Sequence, residues 1–311
     1  MRPFSFAGEK PERERRRKMH WKLTTLIENH PDQEDRLLCE HGLSVLIEGE
    51  GIRVLMDTGQ SGAFYENAVN LGANLSDLDY VIFSHAHYDH TGGLLRLVRE
   101  IGKPRQVLVG NGFFKICYHE KSDGRMKFIG NSFDRRMLQE LGIPVKEVQE
   151  DMMDLGNGLC IHRNFLRNAD FETWNPTFFY QEEDQSCGPF GRCMDSLTYK
   201  PDRFTDEMAI SIDTDRGLFV VAGCSHPGII NILTTIEQRT GKHICGLIGG
   251  THLMEADEKR VRKTIECFKK MNLDLVGVSH CTGEKNIEIL RKELGDRFLY
   301  NCTGNIIEIP Y

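Results

Sequence analysis

Short apolar runs and helical stripes take turns along this chain. Residues 43–48 and 52–56 are apolar runs too short for helices, and the Glu48-Gly49-Glu50-Gly51 joint between them reads as a turn, so the two are predicted to pair as strands. Residues 63–71 read as a helix, 80–84 as a buried strand, 93–101 as the helix after it and 106–109 as another strand. Residues 113–131 mix polarity and read as an irregular excursion, while 145–148 and 159–163 fit short strands. In the second half, strands at 208–212, 218–222, 244–248, 275–278 and 298–300 accompany helical patterns at 229–240, 258–271 and 285–294, where Val261, Ile265 and Phe268 recur at helical spacing and mark a core face. From 165 to 205 periodicity fades while Gly, Pro, Asp and aromatic residues accumulate. Such a stretch reads as an insertion or lid, with Phe178, Phe179 and Tyr180 expected near the functional site. The alternation alone supports an α/β fold.

Composition narrows the class. With 311 residues, 40% of them hydrophobic, the chain can bury a sizeable core, and no low-complexity linker divides it. A single domain over 19–311 is expected, preceded by a disordered basic extension at 1–18 in which Arg13, Arg15, Arg16, Arg17 and Lys18 are interleaved with Glu12 and Glu14. A net charge of −7 gives no general field for holding nucleic acid. No apolar stretch resembles a secretion signal or a membrane span, and the ten cysteines are irregularly spaced, so a cytoplasmic protein with reduced thiols is expected. Cys187 and Cys193 form the one suggestive pair, and their five-residue gap favours a reduced loop over a zinc knuckle.

The densest chemistry lies at residues 84–93, Ser-His-Ala-His-Tyr-Asp-His-Thr-Gly-Gly. His85, His87, Asp89 and His90 crowd into six positions directly after an apolar strand, and a strand end can aim several such ligands at one point. Imidazole and carboxylate donors suit a borderline divalent ion: zinc first, with manganese or iron as alternatives. Loop histidines often merely cap and hydrogen-bond, but four potential ligands at the mouth of one strand exceed what capping needs.

The run His85-Ala86-His87-Tyr88-Asp89-His90 matches the HxHxDH motif of the metallo-β-lactamase superfamily, which this chain resembles from about Leu23 to its C-terminus. Asp57-Thr58-Gly59 resembles that superfamily's early turn. Gly223-Cys224-Ser225-His226-Pro227-Gly228, Gly249-Gly250-Thr251-His252 and Ser279-His280-Cys281-Thr282-Gly283 each close an apolar run, as its later motifs do. Together with Glu40-His41-Gly42-Leu43-Ser44 these look most like the branch of dihydropterin or ribofuranosylaminobenzene-phosphate synthase-like metal-dependent hydrolases. The resemblance implies an αββα sandwich and two divalent metal ions, His85 and His87 on the first, Asp89 and His90 on the second. His226 is expected to complete the first ion and His280 the second.

Cys224 stands where many members place a bridging Asp. It is either a ligand or a packed thiol, and the packed reading is preferred because delivering both Cys224 and His226 to metal demands a tight turn at Ser225. His252 and Asp57 are candidates for ligation or for supporting the ligands, Asp57 chiefly by orienting a histidine. Glu40 and His41 are candidate substrate contacts. The resemblance implies a hydrolase using a metal-bound hydroxide on a small phosphorylated or cyclic ester, with Asp89 both ligand and catalytic proton carrier. The alternatives are a transferase joining a dihydropterin methyl pyrophosphate to an arylamine, and a non-catalytic metal-containing sensor. A small-molecule partner is expected, with no nucleic acid and no membrane, and the oligomeric state is not legible.

Overall fold

A computed structural model describes residues 20–32, 34–49, 51–181 and 198–310. The expected extension at 1–18 and the Cys187/Cys193 pair lie outside the described residues. The first half runs β1 (His20–Ile27), β2 (Ser44–Gly49), β3 (Ile52–Met56), α1 (Ala63–Asn70), β4 (Tyr80–Ile82), α2 (Tyr88–Thr91), α3 (Leu94–Ile101), β5 (Val107–Gly110), β6 (Ile116–Glu120), β7 (Met126–Phe128), α4 (Arg135–Glu140), β8 (Val145–Val148), β9 (Met152–Gly156), β10 (Leu159–Arg163) and β11 (Phe178–Gln181). The rest comprises β12 (Lys200–Pro201), β13 (Met208–Thr214), β14 (Gly217–Ala222), α5 (Ile229–Thr240), β15 (Ile244–Gly250), α6 (Glu258–Met271), β16 (Leu275–Ser279), α7 (Glu284–Leu294), β17 (Phe298–Tyr300) and β18 (Ile306–Pro310), with single 3₁₀ turns at His280–Thr282 and Gly295–Arg297.

Alternation within the strands explains the layers. In β2 and β3, Val45, Ile47, Val54 and Met56 face one way into a core shared with Ile161, Ile210, Ile212, Phe219, Val221 and Ile248 of the other sheet. Leu46 and Leu55 point the opposite way, into a core with Phe64 and Ala68 of α1 and Leu94 and Leu97 of α3. Leu218, Val220 and Ala222 of β14 likewise face away from the inter-sheet core, onto Ile232, Leu233 and Ile236 of α5 and Val261, Ile265 and Phe268 of α6. Strands covered on both faces read as unbroken apolar runs, which is why their sequences show no polar face. The result is an αββα sandwich of two seven-stranded sheets, ordered β18-β1-β2-β3-β4-β5-β8 and β17-β16-β15-β14-β13-β10-β9.

A four-stranded sheet, β12-β11-β6-β7, lies apart from these. Residues 113–131, expected to be irregular, supply β6 and β7, and the stretch from 165 to 205 supplies β11 and β12. Each strand has five residues or fewer and β11 pairs back to β6 across some sixty positions, so neither length nor local pattern announced them.

Both main sheets have a parallel half: β3, β4, β5 and β8 in one, and β14, β15, β16 and β17 in the other. The carboxyl ends of β3, β4, β14, β15 and β16 carry Asp57, the 84–90 motif, Cys224 to His226, His252 and His280. These are the strand ends where α/β sheets place their sites.

Candidate metal centre

Glycine lets the two sheets' strand ends meet. A Cβ on Gly223 would lie 2.2 Å from Ser84 Oγ, and one on Gly93 would lie 2.2 Å from the Thr58 carbonyl oxygen, so only glycine admits these approaches. Four non-glycine residues at the site, Asp57, Ser225, His252 and His280, hold positive φ of 60°, 62°, 46° and 50°. Such strained backbone persists where the surroundings over-determine it.

Three groups of ligating atoms gather among the described residues, the atoms of each within 4.8 Å of one another: His85, His87 and His226; His85, His90 and Cys224; His41, Asp89 and His280. The first is the set expected for the first ion. The expected second set is divided between the other two groups: Asp89 Oδ2 lies 3.0 Å from His280 Nε2 and 3.7 Å from His90 Nε2, but His90 gathers with His85 and Cys224, and Asp89 and His280 gather with His41.

Hydrogen bonds fix which imidazole nitrogen faces inward. Asp57, fully buried, accepts from Ser84 N–H (2.7 Å), the Ser84 hydroxyl (2.7 Å) and His90 Nδ1 (2.6 Å), so His90 presents Nε2 to the site. Since the Ser84 hydroxyl proton goes to Asp57, Ser84 Oγ accepts from His85 Nδ1 at 2.9 Å, and His85 Nε2 is left bare. His280 Nδ1 meets Asn29 Oδ1 at 2.8 Å, turning its Nε2 to Asp89. Asp57 therefore stands in the orienting position.

The residues fit divalent ions on one observation above all: His85 Nε2 and His226 Nε2 are buried with no hydrogen-bond partner. An unsatisfied buried acceptor costs about 1–3 kcal/mol, a cost that ligation would remove. Ligand imidazoles must be neutral, and the protonation states of His85, His87, His226 and His280 agree with that, whereas His90 must give up a proton to ligate. Burial, reinforced by His90 and His87, holds His85 well below the ordinary histidine range, and burial lowers His87 to about 3. Burial likewise keeps His226 and His280 low. For His90 the burial is outweighed by Asp57 and Asp89, which push it up to about 9, and for Asp89 it is outweighed by His90 and His280, which hold the carboxyl well below its usual range.

The structure removes the objection raised against Cys224 as a ligand. Its Sγ lies 3.1 Å from His90 Nε2, and the tight turn that seemed prohibitive is present: Ser225 takes φ 62°, donates its N–H to Glu207 Oε1 (2.7 Å) and donates its hydroxyl to the Gly250 carbonyl (2.7 Å). Both Cys224 and His226 are thereby delivered to the site. Burial, then the neighbouring Cys281, pushes the Cys224 thiol well above its usual range.

His252 packs against His226, 4.3 Å between ring centroids, and joins none of the three groups. His41 joins Asp89 and His280 in addition to its half-open position at the mouth, with its Nε2 3.4 Å from Asp89 Oδ2. Glu40 is directed elsewhere: its carboxylate accepts from Gln60 N–H (2.9 Å), Ser61 N–H (3.0 Å) and the Ser61 hydroxyl, and so braces the turn after β3.

Several supporting residues escaped the sequence reading. Glu207 also accepts from His226 N–H at 3.3 Å, Phe204 stacks on His226 (3.9 Å, 1° between planes), and Asp206 accepts from Ala86 N–H at 2.9 Å while pairing with buried Lys115 (2.5 Å). Adjacent acids at 206 and 207 directly before an apolar strand were the available signal. Phe178 lies over the centre, its ring 5.7 Å from that of His87 and 5.3 Å from that of His226. Phe179 and Tyr180 are partly buried beside it.

Among the described residues no helix is long and apolar enough to cross a membrane. Residues 38–148 match the family model described as the metallo-β-lactamase superfamily. The chain is 30% identical over 302 residues to 7,8-dihydropterin-6-methyl-4-(β-D-ribofuranosyl)-aminobenzene-5'-phosphate synthase of Methanocaldococcus jannaschii, covering 92% of this chain and 96% of that one. It is 26% identical to a second protein of that organism, the uncharacterized MJ0448, over 88% of this chain and 95% of the relative. Among solved structures, Tm1679, described as a metal-dependent hydrolase of the β-lactamase superfamily, superposes with a TM-score of 0.78 at 26% identity, covering 94% of this chain and all of that one. Strand-end histidines converging from two sheets, and near full-length likeness to these relatives, show that this chain belongs to the metallo-β-lactamase superfamily, on the branch that includes the M. jannaschii synthase.

Proposed function

We propose that the chain is a metal-dependent hydrolase of a small phosphorylated or cyclic ester. The observation that carries this reading is the pair of bare, buried imidazole nitrogens, His85 Nε2 and His226 Nε2, in a cluster of histidines kept neutral by burial. His85, His87 and His226 would hold one divalent ion, with zinc the favoured metal, and Asp89, His90 and His280 a second, with Cys224 as a further donor beside His90. Ions held there lower the pKa of coordinated water toward neutrality and stabilise negative charge on the attacked centre.

The protein's own groups supply orientation and proton handling. Asp57, Ser84 and Asn29 fix the ring faces, and Asp89 Oδ2 is an acceptor held between His280 Nε2 and His41 Nε2. Because Asp89 stays ionised, it is a weak proton carrier. His41, neutral and half open to solvent, is better placed to take a proton from incoming water and pass it outward. Phe178 and Phe204 exclude bulk water from the His87 and His226 side, so the segment carrying Phe178 acts as the expected lid.

A second reading is favoured by the M. jannaschii relative, whose name is that of a synthase: a dihydropterin methyl pyrophosphate is joined through its methylene carbon to an arylamine nitrogen, the carbon–oxygen bond breaks, and pyrophosphate and a proton leave. Turnover in ¹⁸O-labelled water, with phosphodiesters, lactones and a pterin pyrophosphate plus arylamine as candidates, separates the two. Hydrolysis places one labelled oxygen in the product. An unlabelled product with a new carbon–nitrogen bond selects the transferase instead.

A further inference from the structure

The small sheet β12-β11-β6-β7 packs against the centre through Phe178 and Lys127. Its register sets three residues in a row across adjacent antiparallel strands, Phe178 opposite His119 and His119 opposite Lys127, and directly opposed residues share a face of the sheet. The contacts show that this face is turned to the site. The Phe178 ring is stacked between His87 (5.7 Å, 23°) and His119 (4.8 Å, 16°). At the other end of the row, Lys127 Nζ lies 5.6 Å from the centre of the Tyr88 ring, within cation–π range. Tyr88 lies 6.5 Å from His41, whose Nε2 is 3.4 Å from Asp89 Oδ2. Both ends of the row therefore abut the 84–90 loop.

Lys127 is exposed, and among the described residues no carboxylate lies within ion-pair distance of it. Lys121 of the same hairpin adds a second positive charge, its Nζ 3.4 Å from His119 Nδ1. A cation free of any acid partner, seated on an aromatic ring at the rim of a divalent-metal site, suits an anionic group that reaches outward from the reacting centre. We propose that the Phe178–His119–Lys127 row is the substrate-recognition wall and that Lys127 binds a phosphate or diphosphate group of the substrate. This rests on the phosphorylated-substrate form of the hydrolytic reading or on the transfer reading.

The test is calorimetric titration of the metal-loaded full chain with pyrophosphate, comparing wild type with Lys127→Ala, Lys127→Arg and Lys127→Glu at equal metal content. Loss of one charge-assisted contact at an accessible rim raises Kd about tenfold in Lys127→Ala. Lys127→Glu weakens binding further, Lys127→Arg stays near wild type, and the wild-type affinity falls more steeply with salt than that of Lys127→Ala. The proposal is overturned if pyrophosphate does not bind wild type, if Lys127→Ala binds as well as wild type, if Lys127→Arg loses as much as Lys127→Ala, or if weaker binding merely follows lost metal. Lys127-dependent pyrophosphate binding in a protein that turns over no phosphorylated compound would keep the anion site at Lys127 and overturn the phosphorylated-substrate reading alone.

Discussion

Asp57→Asn changes one atom and should disable half of the centre. Asparagine tolerates the left-handed φ of 60° at this position, so the backbone is preserved and only the chemistry of the side chain changes. The carboxylate now accepts three hydrogen bonds, from Ser84 N–H, the Ser84 hydroxyl and His90 Nδ1, in a fully buried setting. A carboxamide has one acceptor end. If its oxygen stays with Ser84 N–H, its NH₂ faces His90 Nδ1, forcing the imidazole proton to Nε2 and removing the lone pair that would bind metal. If the amide flips, the Ser84 N–H loses its partner at a cost of about 1–3 kcal/mol. Replacing a charge-assisted bond by a neutral one loses roughly 1 kcal/mol even in the better rotamer, and losing such a support typically costs about 10–100-fold in metal affinity. Competition titration against a chromophoric chelator should show the His90-linked ion weakened by that factor, with the ion on His85, His87 and His226 affected less. Wild-type affinity for both ions in Asp57→Asn would refute the orienting role.

Three further predictions follow from the same geometry. The double variant His85→Ala/His87→Ala should lose the ion on the His226 side, and full metal retention by elemental analysis would contradict the assignment. Cys224→Ser should weaken the ion beside His90, and thiol reagents should label Cys224 only after chelation; unchanged metal binding together with ready labelling of the loaded protein would return Cys224 to a packed role. His162, away from the centre, is buried neutral against Ser211 Oγ at 2.8 Å, and burial lowers its pKa to about 4. The unfolded chain thus binds the extra proton below about pH 6.5, so His162 contributes stability above that pH that is lost as pH falls toward 4. At roughly 1.4 kcal/mol per pH unit over the window from 6.5 to about 4, the loss is on the order of 3–4 kcal/mol. Denaturant melts of His162→Gln should show a shallower acid decline than wild type, and an equal decline would exclude this source.

Most strands and helices of the main sandwich and most residues of the candidate centre were legible because they rest on local signals, while the αββα arrangement followed from the family resemblance. Helices at 229–240 and 258–271 are bounded by Gly228 and Gly241 and by Asp257 and Asn272, which are recognisable stops, and the structure places their ends at the same residues. His85 and His87 of the first group were readable as candidates because a short motif follows a buried strand. What stayed hidden depends on distant partners: β6, β7 and β11 are stable only as a sheet, and nothing within β6 announces that it pairs with Phe178–Gln181. The turn beside Cys224 was misjudged for a related reason. The turn at Ser225 is set by Glu207 and the Gly250 carbonyl, two groups far away in sequence, and local residue preferences alone made it look too costly.

Elemental analysis of natively expressed chain, purified without added metal, tests the account most directly. The account predicts divalent metal in stoichiometric amount, up to two ions per chain with zinc foremost, released by chelator and lost in part from His85→Ala/His87→Ala. A chain that carries no divalent metal, and takes up none when zinc, manganese or iron is supplied, would contradict it.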